Sequence, residues 1–295
     1  MTWPDADVVV DRALVEQLVS EQHPDLASLP LEHLDAGWDN VLWRLGPDLV
    51  VRLPRRVFAA PLMETEQRWL PGLAPRLPLP IPAPVRVGRP SPAYPWPWSV
   101  VPWLAGEPGD RAPLTDGLDA ARRLAAFLDA LHHEAPASAP CSRVRGVPLA
   151  ERADAFEARI ESLAGRLDPA PIRERWDAAL AAPVHSGAPV WVHGDLHPAN
   201  VLVAGGTLAA VIDFGDLSAG DPANDLAAAW MLLPDGARGE FWRAYPRLDA
   251  ALVARSTGWA VLLGLMLLEI GLGGRPTYER VGRLTLARVV DAASR

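Results

Sequence analysis

Residues 191 to 203 read WVHGDLHPANVLV and hold two histidines, an aspartate and an asparagine within eight positions. A second acidic stretch, VIDFGDLSAGD, follows at 211 to 221. These residue types admit more than one chemistry. His193 and His197 are four apart, the spacing that sets two imidazoles on one helical face for zinc. Gly194 and Pro198 oppose a helix there, however, and the residues that follow alternate like a strand. A polar turn, its Asp and Asn side chains satisfying backbone groups, is the simplest structural reading of the loop alone.

The order of the polar residues adds a third reading. Asp195 and Asn200 are separated by four residues, and Asp213 opens an Asp-Phe-Gly. With a strand-turn-strand between them, this is the catalytic-loop and metal-binding pattern of eukaryotic-type kinases. One carboxylate must face the attacking hydroxyl. An amide oxygen and a second carboxylate must hold Mg2+ against phosphates, and hard oxygen donors suit that ion. A short loop and a hairpin are enough to bring all three together.

Elements on both sides must position this loop. Residues 8 to 22 place Leu14, Val15, Leu18 and Val19 on one helical stripe, with Asp11 as its cap. LEHLDAG, DNVLWRLG and LVVRLP follow as strands of a meander, separated by turn signals at 37 to 40 and 46 to 48. PLMETEQRWLPGLA reads as a helix ending near Pro71. Twelve prolines between Pro71 and Pro108 forbid a continuous helix or central strand there, leaving WSVVPW as an edge strand. LAGEPGD reads as a hinge. Beyond it helices are expected at 116–133, 149–166, 172–181, 223–233, 237–245 and 248–272. VWVHG, NVLVAGG and LAAVIDFG interrupt them as short strands.

Composition narrows the function. The chain has 295 residues, about half of them hydrophobic, and a formal net charge of −8. It is expected to be globular, without the basic face of a general nucleic-acid binder. All 28 basic residues are arginine. The missing lysine excludes a Walker-type phosphate loop and any Schiff-base mechanism. No Gly-x-Ser-x-Gly hydrolase elbow is present. The apolar run WAVLLGLMLL stops at Glu269, too short for a membrane span. One cysteine, Cys141, and an acidic start without a signal-peptide pattern give the expectation of a cytoplasmic protein.

HGDLHPANVLV and VIDFGDLSAGDPANDLA, with GWDNVLWRLGPDLVVRLPRR upstream, resemble the aminoglycoside phosphotransferase family. Gly194 stands where protein kinases usually carry arginine. The resemblance runs from about Leu31 to the C-terminal helices. It implies an α+β, bilobal protein-kinase-like fold: a sheet-rich N-terminal lobe over residues 1–104 and a mainly helical C-terminal lobe over 105–295. ATP or GTP would lie in the interlobe cleft. The reaction implied is transfer of the γ-phosphate to a hydroxyl of a small polar, cationic molecule. An aminoglycoside-type antibiotic is the namesake acceptor; a metabolite such as an amino alcohol or sugar is the alternative. A catalytically silent nucleotide-binding protein is the rival of a different class.

Within that resemblance Asp195 is the catalytic residue, Asp213 and Asn200 are the magnesium ligands, and His193 braces the loop. Asp225 reads as a cap or brace for the helix that begins LAAAWML. Arg52 on LVVRLP takes the place of the usual lysine, with Arg44 as the alternative cation. Glu66 shares a helix face with Leu62, Trp69 and Leu70 while Glu64 points away. An acid on an apolar face is costly unless paired, so Glu66 is the expected partner of Arg52. The turn at Gly37 would cover the phosphates, and backbone near Trp103 and Leu104 would meet the base. Asp216, Glu240 and Glu269 are candidate linings of a cationic acceptor pocket, or ordinary exposed charges.

Overall fold

The computed structural model describes residues 5–292. The first four residues of the acidic N-terminal segment lie outside this range. Two compact units emerge. Among the described residues, one comprises 5–76 and 80–105, the other 77–79 and 106–292.

The first unit is built on a five-stranded antiparallel sheet. Helix α1 (Arg12–Gln22) begins where the Asp11 carboxylate accepts the Leu14 N–H at 2.9 Å, and it buries Val15, Leu18 and Val19. Strands β1 (Leu31–Ala36), β2 (Asn40–Leu45) and β3 (Leu49–Pro54) form the meander. Helix α2 (Ala60–Leu73) follows, then β4 (Arg86–Gly88) and β5 (Trp98–Pro102). The sheet order is β1-β2-β3-β5-β4. The Val15, Leu18 and Val19 stripe packs with Trp43, Val51, Leu53, Tyr94 and Trp98 in one core.

One expectation needs correction here. Segment 98–102 is an internal strand, paired to β3 on one side and β4 on the other. Its proline, Pro102, is the last residue of the strand, opposite Leu49, where a missing N–H costs the ladder little. Helix α2 ends near Pro71 as expected, at Leu73. In the last turn proline removes only one intrahelical bond, the one its N–H would have given to the Gln67 carbonyl. The buried stripe of α2 is Met63, Glu66, Leu70 and Leu73, with Leu62 and Trp69 only partly covered.

The second unit is mainly helical. Strand β6 (Glu107–Pro108) joins β8 (Val201–Ala204) and β9 (Thr207–Val211) in the order β6-β8-β9. Strand β7 (Val190–Val192) pairs antiparallel with β10 (Ser218–Gly220). Around these small sheets stand α3 (Gly117–Leu131), α4 (Ala153–Ser162), α5 (Pro169–Leu180), α6 (Ala223–Leu226), α7 (Ala228–Leu232) and α8 (Arg238–Ala244). Two long helices close the chain, α9 (Ala250–Leu272) and α10 (Pro276–Asp291), packed on each other. Helix α9 is apolar and long enough to pass for a membrane span, but 78% of its most apolar window is buried, the pattern of a core helix.

Helix α10 was not foreseen in the sequence. It carries three arginines, Arg280, Arg283 and Arg288, with Arg275 just before it, and only Val281, Gly282, Thr285, Leu286 and Val289 are buried. The segment 223–233 is two short helices rather than one, and 149–152 is a 3-10 turn leading into α4.

Candidate active site

Strand β7 delivers the loop. After Val192 the chain turns sharply through His193, Gly194 and Asp195, and Pro198–Asn200 forms a single 3-10 turn before β8. The loop is held from behind by Asp225. This buried carboxylate accepts the His193 N–H at 2.6 Å and the Gly194 N–H at 2.9 Å. Asn224 beside it donates to the Gly194 carbonyl at 2.9 Å. His132 completes the support, with Nε2 3.3 Å from Asp225 and Nδ1 2.9 Å from the Tyr245 hydroxyl. Burial alone would raise the Asp225 pKa; the hydrogen bond from His132, the nearby His193 imidazole and the Gly194 amide bring it below the usual carboxylate value. Asp225 lies within α6 and braces the loop rather than the helix that follows it.

His193 is a second brace. Its Nδ1 accepts the Asp195 N–H at 3.3 Å, so Nε2 is the nitrogen that donates to the Ile212 carbonyl at 3.0 Å. His197 accepts the Ala199 N–H through Nδ1 at 3.2 Å. Both imidazoles are thus engaged with backbone, and no cluster of three or more His, Cys, Asp or Glu suited to a metal occurs among the described residues.

Gly194 has φ +86, and a Cβ there would come within 2.6 Å of the Asp216 carbonyl oxygen. No side chain fits at that position. The cation beside Asp195 comes from elsewhere. Arg145, in the irregular segment between α3 and α4, donates from Nη2 to Asp195 Oδ1 at 2.8 Å and from Nε to Asp216 at 2.9 Å. The Ser142 hydroxyl fixes its backbone by accepting the Arg145 N–H at 3.0 Å. Burial would raise the Asp195 pKa, but Arg145 first, then His197 and His193, hold it far below the ordinary range. Arg145 escaped sequence reasoning because nothing in its irregular segment gives it a period or motif.

Asp195 Oδ2 meets the Asn200 amide nitrogen at 3.4 Å, and the same nitrogen donates to the Asp195 carbonyl at 2.9 Å. The amide oxygen of Asn200 is thereby turned away from Asp195. The Ile212 N–H donates to the Asn200 carbonyl at 2.9 Å and stitches the loop to the residue before Asp213. Asp213 is exposed and has φ +64, the single non-glycine in the left-handed region among the described residues. A backbone this unfavourable persists only where its surroundings hold it, and such residues cluster at functional sites. An amide oxygen and one carboxylate fit Mg2+, which takes few protein ligands and fills its shell from phosphates and water.

In the sheet unit, Arg52 and Glu66 form a two-pronged ion pair, Nη1–Oε2 at 2.5 Å and Nη2–Oε1 at 3.1 Å. Both are buried, at 7% and 2% exposure. Glu64 is exposed. Arg44 is committed elsewhere: Nε donates to the Gly46 carbonyl at 3.0 Å, Nη2 to the Pro47 carbonyl, and the guanidinium lies 3.8 Å over the Trp103 ring. The Trp103 N–H donates to the Asp48 carbonyl at 2.7 Å. With Pro102 lacking an N–H, Leu104 is the next backbone donor in that segment. The Gly37 N–H closes the β1–β2 turn onto the Asn40 carbonyl at 2.7 Å.

The three acids considered for a cationic pocket each have an arginine partner. Asp216 holds Arg145, Glu240 holds Arg243 at 2.7 Å and Arg122 at 3.5 Å, and Glu269 accepts from Ser162 at 2.7 Å with Arg159 3.9 Å away. Asp221 is buried against Arg255 at 2.7 Å, a structural pair.

The loop, the Asp-Phe-Gly and the fold together define a kinase-like phosphotransferase. Residues 30–265 match the model of the phosphotransferase enzyme family, and the chain belongs to that family. No curated protein sequence matches it. Solved structures agree on the fold. The GDP complex of wild-type aminoglycoside 2'-phosphotransferase-IIIa superimposes with a TM-score of 0.73 at 20% identity, over 96% of this chain and 100% of that one. A GDP and kanamycin complex of an APH(2") enzyme gives 0.70 at 22% identity, over 93% and 97%. The macrolide 2'-phosphotransferase MphH from Brachybacterium faecium gives 0.61 at 24% identity, over 92% and 97%. The fold is that of the small-molecule phosphotransferases, α+β with a sheet-rich N-terminal and a helical C-terminal region.

Proposed function

We propose that this protein transfers the γ-phosphate of ATP or GTP to a hydroxyl of a small polar acceptor, in the cytoplasm. The observation that carries the reading is the arrangement of Asp195, Asn200 and Asp213, tied together by the Asn200 amide and the Ile212–Asn200 backbone bond. The acceptor hydroxyl oxygen bonds to the γ-phosphorus as the bond from phosphorus to the β–γ bridging oxygen breaks. The nucleoside diphosphate leaves with that bonding pair. The hydroxyl proton passes to the Asp195 carboxylate.

Arg145 keeps that carboxylate a weak base. This suits a loose transition state, in which the hydroxyl need not lose its proton before the phosphoryl group has left. Asp195 then serves chiefly to aim the hydroxyl and receives the proton late. Asn200 and Asp213 are the residues that would hold Mg2+, which when bound neutralises phosphate charge. Arg52, oriented by Glu66, would donate to the nucleotide phosphates, and the Trp103–Leu104 backbone would meet the base. A permanent guanidinium can do this electrostatic work in place of lysine.

An aminoglycoside-type acceptor is favoured by the kanamycin and GDP complex of a structural neighbour, and phosphorylation of such a drug would make this a resistance enzyme. A metabolite acceptor is favoured by a different observation, the pairing of Asp216, Glu240 and Glu269 with arginines. The silent-scaffold alternative requires losses that Asp195, Asn200 and Asp213 do not display. The deciding measurement is nucleotide consumption by the purified protein, with and without Mg2+, against aminoglycosides, amino alcohols and sugars. Acceptor-stimulated, Mg2+-dependent turnover supports the reading. Nucleotide binding with no turnover on any acceptor would overturn it.

A further inference from the structure

The two oxygens of Asp195 have different neighbours. Arg145 Nη2 donates to Oδ1 at 2.8 Å. Oδ2, the oxygen left for an acceptor hydroxyl, is met by Asn200 Nδ2 and by His197 Nε2, each at 3.4 Å. His197 is buried, at 7% exposure. It caps the 3-10 turn Pro198–Asn200 through Nδ1, which accepts the Ala199 N–H at 3.2 Å. Its ring stands edge-on to Tyr278 of α10, with centroids 5.5 Å apart.

These contacts decide where the imidazole proton sits. A neutral imidazole has one N–H and one acceptor nitrogen. Nδ1 is the acceptor, so Nε2 carries the proton. Of the two atoms that Nε2 faces, the Asn200 amide nitrogen is itself a donor. Its two protons have acceptors on Asp195, the carbonyl at 2.9 Å and Oδ2 at 3.4 Å. Oδ2 is therefore the acceptor open to the Nε2–H. Hydrogen bonds of catalytic groups are commonly long before substrate arrives and tighten in the reacting complex. His193 also accepts a backbone N–H through Nδ1, but its Nε2 ends on the Ile212 carbonyl. Of the two loop histidines, His197 is the one that turns a proton toward the carboxylate.

We propose that His197 is a positioning residue for phosphoryl transfer: its Nε2–H holds Asp195 Oδ2 in the direction of the acceptor hydroxyl. This deepens the phosphotransferase reading and rests on it for the role of Asp195. Anchored by Arg145 alone, the carboxylate would be free to pivot about Oδ1. A donor on the second oxygen removes that freedom. A carboxylate oxygen accepts more than one hydrogen bond, so Oδ2 keeps the Nε2–H and still receives the hydroxyl. The hydroxyl proton ends on Asp195, and His197 keeps its own throughout.

Two substitutions separate the work of the two ring nitrogens. His197→Asn keeps an oxygen near the place of Nδ1, a favourable cap, and removes the donor at Nε2. His197→Gln carries an amide N–H out to the place of Nε2 and gives up the cap. The full chain is assayed with Mg2+ and ATP or GTP against kanamycin, ethanolamine and glucose, with melting curves beside it. His197→Asn should melt near wild type yet lose roughly 10–10²-fold in kcat, with the nucleotide KM little changed. His197→Gln should melt lower and keep most of kcat. Equal losses in the two variants, or the reverse order, overturn the proposal, because activity would then not follow the donor. Imidazole ¹⁵N NMR of the resting protein needs no turnover. The His197 signals, assigned through their Overhauser contact to Tyr278, should show the proton on Nε2 at alkaline pH, and the Nε2 resonance should move in Asp195→Ala. A proton on Nδ1, or an unmoved Nε2 resonance, overturns the proposal even if neither His197 variant folds. The expected NMR result without turnover on any acceptor counts against the phosphotransferase reading alone.

Discussion

Two arginine–carboxylate arrangements, one buried and one half-buried, differ in kind. Arg52 and Glu66 form a closed pair in which each guanidinium edge nitrogen has its own carboxylate oxygen. Arg145 is an open arrangement: it divides its donors between Asp195 and Asp216 and leaves Asp195 Oδ2 facing Asn200 and His197. The closed pair fixes the position of a cation. The open one fixes a carboxylate and lowers its basicity while leaving one oxygen for chemistry. Burying either costs desolvation, and removing one partner strands the other. The same two residue types thus serve as an anchor in one unit and as a tuning device in the other.

The comparison breaks most sharply at Asp195. Asp195→Ala should lower phosphoryl transfer by roughly 10²–10⁴-fold while nucleotide affinity, read by calorimetry, stays near wild type. Normal turnover would remove the open arrangement from the mechanism. Arg52→Met should come next, at roughly 10²–10³-fold in turnover by analogy with other lost transition-state donors. Arg52→Lys should keep much more activity because the charge survives, and Glu66→Gln should be milder still. If Arg52→Lys were as inactive as Arg52→Met, the two-pronged geometry rather than the charge would be the requirement.

Asp225 supplies a control for stability rather than catalysis. Asp225→Asn keeps one acceptor oxygen but places an amide nitrogen against either the His193 or the Gly194 N–H, and should cost about 3 kcal/mol in urea unfolding. Its native pKa is depressed, so the wild-type contribution is present above the ordinary carboxylate range and is lost as pH falls. An acid unfolding limb that Asp225→Asn leaves unaltered would contradict that assignment.

The smallest effect sharpens the contrast between anchor and tuner. Arg145→Gln should cost less than the roughly 10²-fold expected when a reacting group is misplaced. Its signature is the pH profile. Arg145 lowers the Asp195 pKa, so the wild type keeps its carboxylate ionised far into acid, and the acid limb of kcat/KM should move to higher pH in the variant. Arg52→Lys should leave that limb where it is.

How much of this was legible in the sequence follows the same division. The Arg52–Glu66 pair was readable because a charged residue at a countable position of an apolar helix face must find a partner. The loop and its Asp-Phe-Gly were readable because their spacing is local. Arg145 was not, since a contact fifty residues distant from Asp195 in sequence leaves no period behind. Asp225 was half legible: its position at a helix start pointed to a brace, but only the fold reveals that it supports the His193–Gly194 backbone. Prolines misled at the 98–102 strand, because at its last residue, Pro102, the missing N–H is barely needed. Helix α10 was hidden by charge, its buried stripe broken up by arginines.

The closed space above Gly194 makes this active site dependent on a counter-ion brought from elsewhere in the chain, because in place a Cβ at position 194 collides with the Asp216 backbone. A graft of His193 to Asn200 onto another scaffold would carry the reactive carboxylate without Arg145. A circular permutant that opens the chain between Arg145 and Asp195 keeps both parts in one molecule, but it makes the acidity of the catalytic group depend on how well two distant stretches of chain find each other again.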